Sequence, residues 1–501
     1  MKSIYTEITE SKNKMKVPCA NGVFFHSRYD PEKEAQSYSS QFNENQLFFV
    51  IAGLAGGYHI KSLLQANSNR KIIVVEKSEE DFNFLRQIEL VREIEKSPDI
   101  IFSTEEKLET AILNNYIPAV CGSLTFSTLR PWKDCFEQEY KKTAETVQSA
   151  LKKISADYLT QQKFGKIWTK NIFENLKYVS KSFSQSFLSD IHKKYKKAAV
   201  IAAGPTLDES VKNLCSGEYF IISTDTAFST LIKNGIIPHV CVSLDGQIFS
   251  AVHFIEAGKT QGKTVFAFDI TGNSSAVKHI FNLKLPFFFF ETGHPLAKLA
   301  SLANSSNLPS FISLNSGGGT VTASAVSLSL KAGFFRENIY VFGGDFSYPN
   351  GKPYCKGTYL DSLFLSGQTR TETQEFSFLK IMFSSSLVKT SCTFGKKKLE
   401  AFTTEKLESY KRSVEAILET ETTEMSKTFP FDFKNFMTFL KKSLENLKKN
   451  YTDNLSNPYF YVLLPLMAFL QNDKTMKESF EGTQLIQKSY ELARKITLEY
   501  T

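Results

Sequence analysis

Paired cysteines are missing from this chain of 501 residues: its 7 cysteines lie far apart, without metal-ligand or disulfide-like spacing. An odd, dispersed set argues against a disulfide framework and points to reduced thiols in a cytoplasm. The lack of Cys or His pairs at ligand spacing argues equally against zinc. No run approaches the roughly 18 apolar residues that a membrane span needs. The longest apolar stretches, Leu285–Phe290 and Tyr459–Leu470, have the length of buried core elements. Residues 1–16 lack the apolar centre of a signal peptide. Charge is nearly balanced: 60 Lys and Arg against 52 Asp and Glu leave +8. That excess suits anionic small molecules such as nucleotides but is no signature of nucleic-acid binding. Lysine runs such as Lys396-Lys397-Lys398 and Lys441-Lys442 read as solvated faces.

What is present is ordinary globular composition, with 42% hydrophobic and 22% charged residues, in a chain long enough for two or three domains. The pattern reads as an α/β protein: two Rossmann-like domains followed by a C-terminal helical region. Residues 1–140 form the first domain. An apolar strand (Leu47–Ala52) enters the turn Gly53-Leu54-Ala55-Gly56-Gly57, a helix follows, and a second strand (Ile72–Val75) ends at Glu76. This is the order of dinucleotide and adenosyl-methionine folds, where glycines admit the ligand and the acid binds ribose. Ala55 replaces the middle glycine and would crowd such a ligand. Two readings stay open, a turn that merely packs and a true nucleotide or methyl-donor site.

Residues 141–197 read as a helical connector, with Val147, Leu151, Ile154 and Tyr158 at helical intervals. Trp168, Phe173 and Tyr178 read as packing residues. The central domain, 198–395, carries the most information. Three strand-like runs, Ala198–Ala203, Tyr219–Ser223 and His239–Ser243, end in Gly204-Pro205-Thr206, Asp225-Thr226 and Leu244-Asp245-Gly246. Strands that stop at small or acidic residues, with helices between them, describe the carboxyl edge of a parallel sheet, where open α/β folds bind ligands. Further runs follow at Thr264–Phe268, Pro286–Phe290, Phe311–Leu314 and Ile339–Phe342. Asn315-Ser316-Gly317-Gly318-Gly319-Thr320 precedes an Ala/Ser-rich helix, Val321–Leu330. Consecutive glycines let backbone N–H groups face an anion. No Gly-Lys-Ser/Thr follows, so this is not a Walker A loop. Alternatively, Ala323, Ala325 and Ser327 let the helix lie close to the sheet. The run Ile339–Phe342 ends in Gly343-Gly344-Asp345, where Asp345 reads as a site residue or a cap. Residues 396–501 read as entirely helical from about Leu399, amphipathic, and suited to homo-oligomer formation or acceptor docking.

These residues resemble the motility accessory factors (Maf proteins) of flagellin glycosylation, and the MptE hydroxymethylpterin pyrophosphokinases. The resemblance rests on Gly204-Pro205-Thr206-Leu207-Asp208, Asp225-Thr226-Ala227, Gly235-Ile236-Ile237-Pro238, Ser243-Leu244-Asp245, Gly318-Gly319-Thr320 and Gly344-Asp345-Phe346-Ser347-Tyr348. The stretch His26-Ser27-Arg28-Tyr29-Asp30-Pro31, with Glu34-Ala35 and Gly57-Tyr58-His59, resembles the amino-terminal domain attached in the bacterial proteins. Together the resemblance spans roughly 22–370. It implies a sialyltransferase-like central fold and a CMP-activated nonulosonic acid of the pseudaminic or legionaminic type as donor. It further implies Ser or Thr of flagellin as acceptor, modified in the cytoplasm and needed for flagellar assembly and motility. On that analogy the Gly204–Thr206 turn and the Gly317–Thr320 loop hold CMP, with Thr226, Asn315, Ser316 and Asp345 beside them, and Asp225 and Asp245 line the pocket. Relatives often carry a histidine where this chain has Tyr354.

Transfer from a CMP-sugar passes through an oxocarbenium-like transition state. The site must stabilise the departing phosphate and deprotonate the acceptor. Asp245 and Asp225 are the carboxylate candidates, Tyr354 and His294 the weaker ones, and the metal requirement is left open. The alternative enzyme is an MptE-like pyrophosphokinase that uses ATP and Mg²⁺ held by acidic residues. Methyl transfer at Gly53–Gly57 and a non-catalytic assembly factor complete the readings.

Overall fold

The computed structural model describes residues 3–214, 217–303, 308–394, 397–420, 428–449, 458–472 and 482–500. The chain divides into two compact units, Met1–Lys163 with Leu464–Ser489, and Phe164–Leu463 with Tyr490–Thr501. Strands are β1 (Glu7–Glu10), β2 (Lys16–Ala20), β3 (Val23–Phe24), β4 (Phe48–Ala52), β5 (Lys71–Glu76), β6 (Ile100–Thr104), β7 (Leu124–Thr128), β8 (Lys197–Ile201) and β9 (Tyr219–Thr224). They continue as β10 (Val240–Ser243), β11 (Val265–Asp269), β12 (Phe287–Glu291), β13 (Ile312–Ser313), β14 (Ile339–Phe342), β15 (Tyr348–Pro349), β16 (Val388–Phe394) and β17 (Lys397–Thr403).

In the first unit a parallel sheet of order β6-β5-β4-β7 stands beside the antiparallel sheet β1-β2-β3. All five residues of β4, Phe-Phe-Val-Ile-Ala, are buried, because helices cover both faces of a parallel sheet and leave no wet side for alternation. In the second unit the parallel sheet runs β13-β12-β11-β10-β9-β8-β14. Its first strand shows the period of two that a strand imposes. Ala198 and Val200 enter the core beneath helix Val321–Lys331, while Ala199 and Ile201 pack with Leu207, Val211 and Leu231 on the other face.

Both parallel sheets therefore share one topological feature. Each grows in one direction from its first strand and then adds its last strand on the other side, so β4 lies between β5 and β7, and β8 between β9 and β14. Such a reversal opens a crevice at the carboxyl ends of the two strands.

The stretch expected as a helical connector is helical: one helix of 40 residues, Glu137–Leu176, followed by short turns. One sequence expectation needs revision. The C-terminal region is not entirely helical: β17 pairs antiparallel with β15 and β16. Its alternation was present in the sequence, with Ala401 and Thr403 buried and Glu400 and Phe402 exposed, but it runs directly into helix Glu405–Leu418. The amphipathic helices that follow bury Phe436, Leu440, Leu444, Leu485 and Ile496. No helix among the described residues is long and apolar enough to cross a membrane.

Candidate active site at the carboxyl edge of the second sheet

At the β8/β14 reversal two backbones approach to hydrogen-bond distance. Gly204 N–H donates to Gly343 O at 2.8 Å, and Ala202 N–H to Phe342 O at 2.8 Å. Glycine is required on both sides. A Cβ on Gly204 would collide with Gly343 O and stand 2.6 Å from Asp345 Oδ2, and one on Gly343 would collide with Ala202 O. Asp345 then binds the turn after β8: Thr206 N–H donates to its Oδ2 at 2.8 Å, and Thr206 Oγ1 donates to its Oδ1. Burial raises the Asp345 carboxyl above its ordinary 3.8, against the lowering effect of the Thr206 bonds. Thus Gly204, Pro205, Thr206 and Asp345, which are far apart in sequence, meet at the switch point.

A cavity of about 460 Å³ opens beside Pro205 and Thr206. Asp208 and Glu209 line it from the short helix after the turn, and Thr230 and Asn234 from helix Asp225–Lys233 and its C-cap. The segment after β14 contributes Pro349, Asn350, Lys352 and Lys356. Sequence reading found the turn but missed these two lysines, whose flanking residues carry no motif.

The other expected residues sit along the same edge. Asp225 is buried, and both of its oxygens are used: Oδ1 accepts from Thr226 N–H at 2.7 Å and from Thr226 Oγ1 at 3.1 Å, and Oδ2 from Ser243 Oγ at 2.7 Å. Asp245 is half-buried, with Oδ1 accepting from Gln247 N–H at 2.9 Å. Burial first, and the Asp225 charge after it, raise the Asp245 carboxyl above its ordinary 3.8, while the bond to Gln247 opposes both. Asp245 is the freer of the two to accept a proton, because both oxygens of Asp225 are held by Thr226 and Ser243 while Asp245 is bound only within its own turn.

In the glycine loop, Gly319 and Thr320 N–H groups both donate to Ser316 O, and Gly317 N–H to Asn315 Oδ1 at 2.9 Å. Gly317 makes room for Ala323 and Ser413, while Gly318 and Gly319 face open space. The loop therefore combines both sequence readings, one glycine for packing and two facing outward. Tyr354 is half-buried against the core that contains Leu207, Val211 and Cys355, and it does not line the cavity. His294 caps helix Pro295–Leu302 through Nδ1, and burial lowers its pKa to about 3.

Two further acids were missed. Asp269 is fully buried, accepts from Thr271 N–H, Thr271 Oγ1 and Thr292 Oγ1, and is raised by burial to about 6. Glu291 accepts from Gly293 N–H at 2.7 Å. The signal was available, since each stands at the end of an apolar run, Val-Phe-Ala-Phe-Asp and Phe-Phe-Phe-Phe-Glu. Acids thus stand at the last residue of β11 and β12 or just past the ends of β9, β10 and β14, and most of them brace their own loops. Among the described residues no three His, Cys, Asp or Glu side chains are grouped to hold a metal ion.

The first sheet's turn has the opposite character. Its Glu76 is buried and accepts from Leu54 N–H at 2.6 Å and Tyr5 Oη at 2.7 Å. Trp132 Nε1 in turn donates to Tyr5 Oη at 3.1 Å. A Cβ on Gly53 would lie 2.5 Å from the Trp132 ring. The chain's own groups thus occupy both the acid and the face of Gly53.

With this geometry in hand, relatives place the chain. A family model for 6-hydroxymethylpterin diphosphokinase MptE-like proteins matches residues 170–351. An uncharacterized protein of Treponema pallidum (strain Nichols) is 34% identical over 143 residues, 28% of this chain and 67% of that protein. A second from the same strain is 30% identical over 220 residues, 44% of this chain and 69% of the relative. The chain belongs to one family with these treponemal proteins. The solved structure of a Maf glycosyltransferase from Magnetospirillum magneticum AMB-1 matches with a TM-score of 0.53 and 13% identity, over 100% of this chain and 87% of that one. The chain thus has the Maf fold, with an MptE-like region at its centre.

Proposed function

We propose that this protein is a glycosyltransferase whose donor, a CMP-activated nonulosonic acid, binds at the carboxyl edge of the second sheet. The acceptor is a Ser or Thr hydroxyl of flagellin, modified in the cytoplasm before export and required for flagellar assembly and motility. The observation that carries the reading is the β8/β14 switch point, where Gly204, Thr206 and Asp345 converge beside a cavity. The Maf fold supports it over the whole chain. In this reading the CMP part lies against the Gly204–Thr206 turn and the outward-facing Gly318 and Gly319. Asp245 accepts the proton of the attacking hydroxyl, with its affinity raised by burial and by Asp225. The departing phosphate gains charge as the glycosidic bond opens, and the Gly318 N–H, the loop glycine donor not already turned inward, lowers that barrier. Asp225 positions the β9 and β10 loops.

A second reading, favoured by the MptE-like match, is diphosphoryl transfer from ATP to a hydroxymethyl group with Mg²⁺, which would neutralise the phosphates. Intact-mass spectrometry of flagellin from cells with and without the gene separates the two. The leading reading expects a mass increment that vanishes with the gene and returns with the wild type but not with Asp245→Ala. Unchanged flagellin mass removes flagellin as the acceptor.

A further inference from the structure

The lysines of the cavity have no role in the chemistry above. Lys352 and Lys356 stand on a segment whose backbone is tied down. Cys355 N–H donates to Ala203 O at 2.9 Å, Lys356 N–H to Asp208 Oδ1 at 2.7 Å, and Gly357 N–H to Asp361 Oδ2 at 2.9 Å. Lys356 O accepts from Thr230 Oγ1 at 2.9 Å. Neither ammonium forms an ion pair among the described residues; the exposed Glu375 carboxyl is lowered first by hydrogen bonds from its own N–H and from Thr373, and only last by the charge of Lys352. Two cations on a fixed frame, lining one cavity, make a site for an anionic group.

The rest of the lining narrows the ligand. Asp208, Glu209 and Asn234 offer acceptors, while no aromatic side chain lines the cavity to stack on a base. Ligand pockets are usually mostly apolar, and this one is not. A ligand with a carboxylate and many hydroxyl or amide hydrogens matches both sets of groups, whereas a nucleobase would find neither a ring to stack on nor a use for two positive charges. Resting on the transferase reading, we propose that this cavity holds the sugar-acid moiety of the donor, with Lys352 and Lys356 on its carboxylate. Thr206, which touches both the switch point and the cavity, then marks the junction between nucleotide and sugar.

Calorimetric titration of the full-length protein with CMP, CMP-N-acetylneuraminate and free N-acetylneuraminate tests this. The wild type should bind the CMP-sugar more tightly than CMP. In the Lys352→Ala/Lys356→Ala double variant that preference should fall by about tenfold or more, equivalent to roughly 1.4 kcal/mol, with CMP affinity held. Lys352→Arg/Lys356→Arg should retain the preference. A double alanine variant that keeps the full preference, or that loses CMP affinity equally, overturns the proposal. Should the wild type fail to bind CMP, the nucleotide reading falls and the free acid decides the cavity. Binding of N-acetylneuraminate that the alanine variant abolishes upholds the sugar-acid site, and no binding, or binding that both proteins share, rejects it.

Discussion

The two carboxyl edges follow the same local grammar and end differently. Each first strand runs into a small-residue turn, each sheet reverses direction at that strand, and each places acids nearby. At the first edge Tyr5 and Trp132 close over Gly53 and Glu76. At the second, Gly204 meets backbone and Asp345, and a cavity remains beside the turn. A glycine turn therefore records only that something comes close. Whether that is a ligand or the chain's own indole depends on segments far away in sequence.

Substitutions at the two edges should separate them. The largest effect is expected from Asp245→Asn, which removes the proposed base and should lower the turnover of a CMP-sugar transfer assay by roughly 10²–10⁴-fold. Glu76→Gln at the first edge should leave that turnover unchanged. A full-rate Asp245→Asn enzyme would move the base elsewhere on the edge.

Next come the glycines. Gly53→Ala and Gly204→Ala each force a Cβ into occupied space, at a cost of roughly 1–3 kcal/mol in the unit concerned, as for other overpacked sites. The prediction is that only Gly204→Ala weakens CMP binding in calorimetry. Equal loss of affinity in both would contradict a packed first edge. The chain's two tryptophans report the units separately, since Trp132 belongs to the first and Trp168 to the second.

A smaller effect follows from protonation. Burial raises the Glu76 carboxyl from 4.5 to about 8. Between those values the folded first unit keeps a proton that the unfolded chain has lost. Its contribution is complete below the unfolded value and is lost as pH rises through the folded one, at up to about 1.4 kcal/mol per pH unit. Glu76→Gln, followed by Trp132 fluorescence in a Trp168→Phe background, should flatten this slope. His59 acts in the opposite sense. Burial holds it well below 6.5, so protonation takes stability away as pH falls beneath that value. An unchanged slope between pH 4.5 and 8 in Glu76→Gln would place the buried proton on another group.

The smallest effect is expected from Thr206→Val. It removes the hydroxyl bond to Asp345 but keeps the N–H bond. A loss of about 1 kcal/mol in second-unit stability is expected by urea titration. No loss would mean that the side chain adds nothing to the link between the turns.

Much of the second edge was legible because its signals are local. An apolar run that stops at Gly-Pro-Thr, at Asp225 or at Gly-Gly-Asp states where a parallel strand ends, and the strands lie within one or two residues of those runs. The resemblance to Maf and MptE proteins added the order of the motifs. What stayed hidden depends on distant packing. Tyr5 approaches Glu76 across 71 positions, and no pattern near the Gly53 turn announces it. Lys352 and Lys356 gain meaning only when their segment is pinned to Ala203, Asp208 and Thr230. Asp269 and Glu291 obeyed the same strand-end rule as Asp225 and were overlooked. β17 was lost because its seven residues run into a long helix.

The most direct test of an open second edge and a closed first one is hydrogen–deuterium exchange of the full-length protein with and without CMP. The account predicts slowed exchange in peptides covering 203–208, 316–320 and 343–347, with 53–57 and 76–81 unchanged. Protection centred on 53–57 would contradict it and make the first glycine turn the nucleotide site.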